Sequence, residues 1–431
     1  MFTAPHLGLD LPTTSEDRTH ILVTSFSTSG PAHMHQHAVF LPHALSQTFK
    51  RAMAPSKSRF PSSINDSADF EHQRLDPSKD QIRLVRLLPG TSSDDIQCEL
   101  KVWDLASSPS YIALSYTWGD AGSTQLIHVN GKRHQVRDNL FDFLSIYLST
   151  EKDATGKDTW LWIDQLCIDQ SHVQERNHQV SLMSRIYQGS VSVIVWLGCD
   201  IKLVTAAEEY ATTGSYSTLK PLFRSVYFTR LWIVQEILLA PYLRVLCGST
   251  WISHETMRYL AEICSWDAFP NVSLSLFSEG AVDFENFDVP ILHHDESYTD
   301  RRLTSLKVDI KRYSGNHCAD PRDKVYGLLG LVNDVNLQPD YGKSVEEVFL
   351  DAVRAVAPSI GRFYYDEDDD VVDDDERLFS LSLQLARNMG LTSSDVVRIF
   401  GELNQIFEQR SADSSASNGA AKKMIARLRQ T

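Results

Sequence analysis

Two short apolar runs, residues 160–163 and 191–197, frame the most strongly patterned part of the chain. Both are nearly continuous and rich in β-branched and aromatic side chains, which predicts strands buried on both faces of a sheet. Between them, apolar residues recur at helical spacing, which predicts an amphipathic helix. These residues are Val173, Val180, Met183 and Tyr187. A strand, a helix and a strand of these lengths make a βαβ unit, the building block of a parallel sheet.

Local signals mark the ends of this helix and of the strand before it. A Ser-x-x-Gln capping box begins at Ser171, and Gly189 can end the helix. The first strand runs into two Asp-Gln pairs, at Asp164 and Asp169. Open α/β sheets bind ligands at the carboxyl ends of their strands, so both aspartates are candidates for a site there.

Five further strands are predicted upstream of this unit, from alternating or continuous apolar residues. They span residues 81–88, 96–102, 111–116, 125–129 and 132–136. The last two flank Asn130-Gly131, the dipeptide that favours a type I′ hairpin. A helix is predicted to follow from about Asp138. Its inward face comprises Leu140, Leu144, Tyr147 and Leu148.

Downstream, an apolar helix is predicted over about residues 228–239, where Pro241 stops it. Residues 202–210 predict a helix or a loop, and residues 244–252 predict a closing strand and turn. Two further helices are predicted, one opening at Asp320 and one over residues 345–356. The alternation of strands and helices predicts an α/β fold with a mainly parallel central sheet flanked by helices, and a helical C-terminal extension.

Composition narrows the class of partner and the compartment. The chain has 431 residues and a formal net charge of -15, which argues against nucleic acid or an anionic membrane as the main partner. No apolar run approaches the roughly 18 residues of a membrane helix, and no secretory signal is visible. Six scattered cysteines without a Cys-x-x-Cys pair predict reduced, mostly buried thiols. The predicted location is the cytoplasm.

Several segments are predicted to lie outside the packed core. Residues 1–80 are rich in Ser, Pro and His, which predicts a disordered arm. Its alternating histidines would bind a metal only adventitiously, so no metal site is expected. They are His33, His35 and His37. The irregular residues 266–304 predict an insertion, and the acidic residues 366–376 predict a solvated linker.

Four sequence blocks follow one another along the chain: YIALSYTWGD from Tyr111, LWIDQLCIDQ from Leu161, VIVWLG from Val193 and RLWIVQEILLA from Arg230. Their identity and order resemble the fungal heterokaryon-incompatibility (HET) domain family. The later blocks DPRDKVYGLLGL and PDYGKSVEEVF resemble the segment that often follows that domain. This resemblance, over about residues 82–349, implies a role in nonself recognition between fungal cells and in programmed cell death.

The resemblance also implies a division of the chain. The HET domain core would occupy residues 81–255, and an associated extension with its insertion would occupy residues 256–365. The acidic linker at 366–376 and a short helical tail at 377–431 would follow.

The order of strands, loops and helices in these blocks resembles that of Toll/interleukin-1-receptor (TIR) domains, which implies a TIR- or flavodoxin-like fold. Those domains carry a Trp-x-x-x-Glu pattern on the corresponding helix, matched here by Trp232 and Glu236. In the TIR domains that hydrolyse NAD, this glutamate is catalytic. The likeness therefore implies Glu236 as a catalytic residue, and NAD or a related nucleotide as a substrate rather than a cofactor.

The surroundings of Glu236 suit that chemistry. Trp232 lies one helical turn before it on the same face of a predicted apolar helix. A carboxylate desolvated against an indole has a raised pKa, which favours acid–base chemistry or the stabilisation of a developing cation. Cleavage of the nicotinamide–ribose bond passes through such a cation. The alternative is a buried Glu236 that pairs with Arg230, Arg224 or a backbone donor to hold the fold.

The loop after the third strand supplies further candidates for a substrate pocket. They are Ser115, Trp118, Gly119 and Asp120, with Asp164 from the neighbouring strand. Such a loop could cradle a ribose or a phosphate, although the chain has neither a Gly-x-Gly-x-x-Gly nor a P-loop motif. Trp118-Gly119 fits a tight structural turn equally well, and Asp164 could simply satisfy backbone donors.

For other polar residues of the central block, a purely structural role is an alternative to a functional one. Asp169 could cap the following helix, and Glu175 and Arg176 could line the pocket or, more commonly, lie on the surface. Cys167, between apolar neighbours, fits a core residue better than a nucleophile. His172 and His178 are poorly spaced for a shared metal, and a serine hydrolase would need a Gly-x-Ser-x-Gly elbow that is absent.

The sequence thus leaves two classes of function open. In the first, the protein is an enzyme that cleaves NAD or a related nucleotide with Glu236 after self-association. In the second, it is an interaction module that binds a protein partner, with Trp118, Trp162 and Trp232 in its core. A degenerate family member without activity is a third possibility. Clustering of Glu236, Asp120 and Ser115 around one pocket would favour the enzyme, whereas a buried Glu236 locked to an arginine, with no cavity, would favour the module.

Overall fold

The structure is a computed structural model. It describes residues 68–88, 91–92, 95–150, 159–263, 305–333, 335–357 and 374–392, with Asp395, Arg398 and Ile399. His33, His35 and His37 of the N-terminal arm, the insertion at 266–304, and the acidic segment up to residue 373 lie outside the described residues.

A sheet of nine strands forms the centre of the described chain. The strands are β1 (Gln81–Leu87), β2 (Gln97–Asp104), β3 (Tyr111–Tyr116), β4 (Thr124–Val129), β5 (Lys132–Arg137), β6 (Trp160–Trp162), β7 (Ser192–Trp196), β8 (Leu243–Cys247) and β9 (Thr250–Ser253). Their order across the sheet is β5-β4-β2-β1-β6-β3-β7-β8-β9. Each predicted strand is present, with bounds that shift by one or two residues.

The sheet is mixed, so the prediction of a mainly parallel sheet is wrong. Parallel pairing joins β6, β3, β7 and β8, with a short parallel contact between β2 and β4. The pairs β1/β2, β1/β6, β4/β5 and β8/β9 are antiparallel. Two of them follow from their connections, Asn130-Gly131 and Gly248-Ser249, because a parallel pair needs a crossover of a dozen or so residues.

The four parallel strands keep the order of a doubly wound fold. β3 lies between β6 and β7, so the chain leaves β3 toward one side and later returns to its other side. The boundary between β3 and β7 is therefore a topological switch point, where open α/β sheets form a crevice at the carboxyl ends of the strands.

The described helices are α1 (Asp138–Thr150), α2 (Asp164–Cys167), α3 (Val173–Gln188), α4 (Ile201–Thr213), α5 (Ile233–Leu238), α6 (His254–Ile263), α7 (Leu306–Tyr313), α8 (Asp323–Tyr326), α9 (Val345–Val356) and α10 (Asp374–Asn388). Short 3-10 turns lie at Leu105–Ser107, Tyr216–Arg224, Val226–Thr229 and Leu329–Leu331.

Helices cover both faces of the parallel strands, because the side chains of those strands are apolar on both faces. The Trp196 ring of β7 packs on Phe143 of α1, and its Nε1 donates to Asn139 Oδ1 at 2.9 Å. Trp162 of β6 faces the other side, where its ring centroid lies 5.4 Å from that of Tyr187 on α3. The predicted inward residues of α1 are buried, apart from a half-buried Leu148.

The hairpin between β4 and β5 confirms its sequence signal. Asn130 has φ 52 and Gly131 has φ 74, and both central residues of a type I′ turn need a positive φ. The Asn130 side chain adds to the turn, since its Oδ1 accepts from Leu100 N at 2.9 Å.

The start of α3 differs from the prediction. His172 is the N-cap residue, and its Nδ1 accepts from Glu175 N at 3.1 Å, whereas the Ser171 hydroxyl donates to Asp169 Oδ1 at 2.6 Å. Val173, predicted to face inward, is 47% exposed. The helix ends before Gly189, as predicted.

The helix predicted over residues 228–239 is broken. Val226–Thr229 form a 3-10 turn, Arg230 is extended with φ -75 and ψ 143, and α5 begins beyond it. The cause is tertiary, because this backbone pairs with the extension. Leu231 N donates to His317 O at 2.8 Å, and His317 N donates to the carbonyl of Thr229 at 2.6 Å. Such pairing overrides the local preference for a helix.

The sequence predicted that the packed chain starts at Gln81, but in the structure it begins earlier. Residues 68–70 lie along β5, where Phe70 N donates to Arg133 O at 2.8 Å. The His72 ring stacks edge-on against Phe70 with centroids 5.0 Å apart, and its Nε2 lies 2.9 Å from Leu166 O. This short segment therefore covers the outer edge of β5 and contacts α2.

One charged pair is buried in the core. The guanidinium of Arg83, 1% exposed, meets the carboxylate of Glu175 at two points, 2.6 Å and 2.9 Å. Arg83 Nη1 also donates to the carbonyl of Cys167 at 2.9 Å. The sequence suggested that Glu175 lines the pocket or lies on the surface. It lies in the core instead, where it links α3 to β1.

The described helices include none that is both long enough and apolar enough to span a membrane.

Candidate functional site

The carboxylate of Glu236 lies in a buried polar cluster at the carboxyl end of β3. Glu236 is 2% exposed, and the Ser115 hydroxyl donates to its Oε2. The same hydroxyl lies 2.6 Å from the hydroxyl of Tyr227. Arg230 Nη1 lies 3.6 Å from Glu236 Oε2. These four residues are called the Glu236 cluster below.

Each member of the cluster comes from a different local structure. Ser115 lies two residues after Ala113, which pairs with Trp162, so strand alternation turns it toward α3 and α5. Tyr227 belongs to the 3-10 turn before α5. The extended backbone at Arg230 then reverses the chain, so that its side chain and Glu236 of α5 reach the same place.

Burial determines the electrostatics of the cluster. It raises the pKa of Glu236, and the opposing effects of Arg230 and Ser115 do not cancel it. Burial also raises the pKa of Tyr227, and the nearby charge of Glu236 adds to this. The pKa of Arg230 is lowered by burial but raised more by the carboxylates of Glu236 and Asp164. The cluster thus pairs a permanent cation with a carboxyl group of increased proton affinity, an arrangement common at functional sites.

The Arg230 guanidinium has donor capacity to spare. Its Nη1 is buried and has no hydrogen-bond partner among the described residues. A buried N–H that makes no hydrogen bond is costly, so this group is a candidate for binding a ligand oxygen or an ordered water.

Trp118 and Asp164 border the cluster. Trp118 Nε1 donates to Asp164 Oδ2 at 2.7 Å, and both side chains are half-buried. The Arg137 guanidinium stacks over the Trp118 ring at 4.9 Å. Burial raises the pKa of Asp164, and the hydrogen bond from Trp118 opposes this. The Trp118–Asp164 pair is therefore the half-exposed part of the site and is called its rim below.

Gly119 and Asp120 do not join the cluster. Gly119 has φ +79 and its carbonyl accepts from Arg137 Nη1 at 2.8 Å, so it serves the tight turn. Asp120 is exposed, and its Oδ1 accepts from Gly122 N at 3.0 Å. Of the predicted pocket, the structure therefore brings together Ser115, Trp118 and Asp164 around Glu236.

Trp232 turns away from the Glu236 carboxylate. Its Nε1 donates at 3.1 Å to Asp323 Oδ2 of the extension, and Tyr341 holds the other oxygen of Asp323 at 2.5 Å. The predicted stacking of indole and carboxylate is thus replaced by a contact with the extension. Desolvation of Glu236 comes from the surrounding core instead.

Of the other polar residues of the central block, Cys167 follows its alternative as a core residue, whereas Asp169 does not cap α3 and Arg176 packs against the extension instead of lying on the surface. The Cys167 thiol is fully buried, and burial raises its pKa to about 12. Asp169 accepts from Ser171 in a turn before α3. Arg176 stacks on Tyr341 at 4.5 Å.

Sequence reasoning missed Tyr227 and treated Arg230 only as a structural partner. The sequence gives only a weak signal for Tyr227. It lies a few residues before the block that begins at Arg230, in a turn rich in Phe and Tyr. Arg230 opens that block, but its role depends on the backbone break that the extension imposes.

Comparisons with known proteins support the resemblance. A family model described as "Heterokaryon incompatibility protein (HET)" matches residues 111–213. The chain is 26% identical to "Heterokaryon incompatibility protein 6, OR allele" of Neurospora crassa, over 65% of this chain and 52% of that protein. The chain thus spans about half the length of this curated relative. No solved structure is a significant match to the chain.

Proposed function

Since this chain is a HET-domain family protein, we propose that it acts in fungal nonself recognition and triggers programmed cell death by cleaving NAD or a related nucleotide. The support for a role in incompatibility is the matched domain and the Neurospora relative, whose name describes it as a heterokaryon incompatibility protein. The observation that carries the enzymatic part is the Glu236 cluster at the switch point of the sheet.

In this proposal Glu236 meets the positive charge that develops on the ribose as the bond to nicotinamide breaks. A carboxylate in a desolvated site stabilises such an oxocarbenium-like state far better than water does. Ser115 and Tyr227 hold the carboxylate in place. The spare N–H group of Arg230 would donate to an oxygen of the substrate, and a phosphate oxygen suits a guanidinium best.

Access to Glu236 is part of the proposal. Because Glu236 is 2% exposed, a nucleotide must enter past the Trp118–Asp164 rim. Self-association would be the trigger that opens this rim, which agrees with the expectation that TIR-like enzymes act as assemblies.

The test is NAD consumption by the purified protein at high concentration with a crowding agent, beside Glu236→Gln. Glutamine keeps the size and the acceptor of the side chain but removes its charge. We expect the variant to lose about 100-fold or more of the activity. Glu175→Gln is the matched control, because it makes the same change at another buried glutamate–arginine pair and should keep activity at temperatures where it stays folded.

The outcomes separate the alternatives. Equal NAD loss in wild type and Glu236→Gln would place the chemistry elsewhere. No NAD loss in either, while expression of the wild type still kills cells, would favour the interaction module.

The interaction module is the second candidate, favoured by one observation. Glu236 lies within ion-pair distance of Arg230 and is nearly inaccessible, as expected for a glutamate that only holds the fold. In that case Glu236→Gln should lower the stability of the protein and leave the death phenotype intact wherever the protein folds.

A further inference from the structure

A polar cavity lies in the extension, and its lining includes no member of the Glu236 cluster. It has a volume of about 420 Å³ and lies between the segment after α7, the start of α8 and the end of α10. Its lining residues are Gly315, His317, Cys318, Pro321, Lys324, Arg387, Asn388, Met389 and Gly390. This cavity is called the extension cavity below.

The charge of the extension cavity is positive. Lys324 and Arg387 line it, and no aspartate or glutamate is among its described lining residues. Two carboxylates from the same stretch of chain as Lys324 are engaged by other groups. Asp320 binds Arg322 at two points, 2.9 Å and 2.6 Å, and Asp323 accepts from Trp232 and Tyr341. In a chain with a net charge of -15, an uncompensated pair of cations is unusual and favours an anionic ligand.

The buried ammonium group of Lys324 is the charge in the cavity that most needs an anionic partner. It is 7% exposed, and its Nζ donates to the carbonyl of Asn316. An ammonium group has three donors, and a buried charge is normally paired with an opposite one. Within the described chain Lys324 has no ion pair, so an anion in the cavity would supply what the fold leaves out.

The end of α10 does not repel an anion strongly. Its final carbonyl groups, those of Leu385, Ala386 and Arg387, accept from the backbone N–H groups of the turn that follows. Carbonyls that are already hydrogen-bonded contribute less negative potential to the cavity. Arg387 is exposed and can reach over the opening.

The Cys318 thiol does not suggest a redox or nucleophilic site. It donates to the carbonyl of Asp320 at 3.2 Å. Burial raises the pKa of the thiol to about 11, and the neighbouring Lys324 ammonium group does not offset this, so the thiol stays protonated near neutral pH. The cavity is therefore suited to binding rather than to reaction.

We propose that the extension cavity binds a phosphorylated small molecule through Lys324 and Arg387. A phosphate group carries about two negative charges near neutral pH and matches two cations, and guanidinium and ammonium groups are the usual phosphate ligands in proteins. This inference stands apart from NAD cleavage. It has a consequence for that site, because Asn316 Nδ2 also donates to the carbonyl of Arg230 at 3.2 Å. The ligand would thus border the segment that holds Arg230 extended.

Isothermal titration calorimetry of the full chain with inorganic phosphate tests this inference, with succinate as a carboxylate probe. We expect phosphate to bind, and Arg387→Ala to weaken the binding about tenfold. Arg387 is exposed, so its variant should fold normally. Lys220→Ala is the matched control, because Lys220 is also exposed and lies outside the cavity lining. Lys324→Met should abolish binding if the variant folds.

Two results would overturn the inference. One is the absence of phosphate binding by the wild type. The other is equal phosphate affinity in wild type and Arg387→Ala, which would place the anion elsewhere. If the first result is accompanied by binding of succinate, the ligand class is a carboxylate instead.

Discussion

Two buried glutamates in the described part of the chain face arginines, and the geometry of the two pairs differs. Glu175 meets Arg83 at two points, both within hydrogen-bond distance. Glu236 lies 3.6 Å from Arg230 Nη1, and its close hydrogen bond comes from Ser115 instead. A two-point pair with all donors engaged is suited to holding elements together. The looser pair leaves a donor free, which a ligand can use.

The first pair gives a prediction about stability. Glu175→Gln leaves the Arg83 guanidinium buried without a counter-charge, so the free energy of unfolding should fall by about 3–5 kcal/mol. Arg83→Met combined with Glu175→Leu removes both charges and should cost less than the single change. Urea denaturation of the three proteins measures this. A double variant that is less stable than Glu175→Gln would contradict the argument.

At the residue scale, the sequence indicated some members of the Glu236 cluster but not all of them. Glu236 was indicated by its likeness to the TIR Trp-x-x-x-Glu pattern, and Ser115 and Asp164 by their positions at the ends of apolar strands. Asp120 was placed with them by its position in the same loop, yet its carboxylate caps the turn at Gly122. Loop side chains depend on local hydrogen bonds that the hydrophobic pattern does not encode.

Among the elements, the β4–β5 hairpin was the best predicted, because its turn is local. The Asn130-Gly131 dipeptide alone specifies positive φ at both positions. The α5 helix was predicted too long, because its break at Arg230 depends on backbone pairing with His317, far away in the chain. The antiparallel direction of the β1/β6 pair could not be predicted for a similar reason, since local patterns do not show which distant strands become neighbours.

The hairpin allows a test of backbone strain. Gly131→Ala should lower the free energy of unfolding by about 1–2 kcal/mol, because a Cβ is disfavoured at φ +74. An added Cβ would meet nothing within 4 Å at this position, so the whole cost is conformational. Thermal or urea denaturation measures it.

Gly315→Ala is the control for that prediction. A Cβ there also meets nothing within 4 Å, and Gly315 is not among the residues with positive φ. This variant should be nearly neutral. Equal destabilisation by both changes would show that strain at Gly131 is not the cause.

On the scale of the whole molecule, the described part of the extension packs directly against helices α3 and α5 beside the sheet. Gln235 Nε2 of α5 donates to Gly327 O at 2.8 Å, and Trp232 donates to Asp323. Arg176 of α3 stacks on Tyr341. The sequence predicted the extension as a separate region, because contacts between distant segments leave no periodic signal.

Asp323 makes this junction sensitive to pH. Burial raises its pKa from 3.8 to about 6, despite hydrogen bonds from Tyr341 and Trp232. Below pH 3.8 both the folded and the unfolded state hold the proton. As the pH rises from about 4 to about 6, unfolding releases the proton, so the contribution of Asp323 to stability falls, and it stays low above pH 6. Asp323→Asn should remove this fall.

Urea denaturation of wild type and Asp323→Asn across this pH range measures the difference. We expect the variant to gain stability relative to the wild type as the pH rises. Asp320→Asn is the control with the opposite sign, because the pKa of Asp320 is lowered and its contribution to stability is lost as the pH falls. A constant difference between wild type and Asp323→Asn would refute the assignment.

The pairing of His317 with the backbone around Arg230 limits which segment of this protein could transfer the site to a chimeric protein. The matched segment, residues 111–213, lacks β1, which borders β6, and β8, which borders β7. It also lacks Glu236 and the extension residues that shape Arg230. A chimera that borrows only this segment would keep the Trp118–Asp164 pair but carry Ser115 without Tyr227 and Glu236, which it contacts. The smallest graft able to transfer the site therefore runs from before β1 to beyond Tyr341.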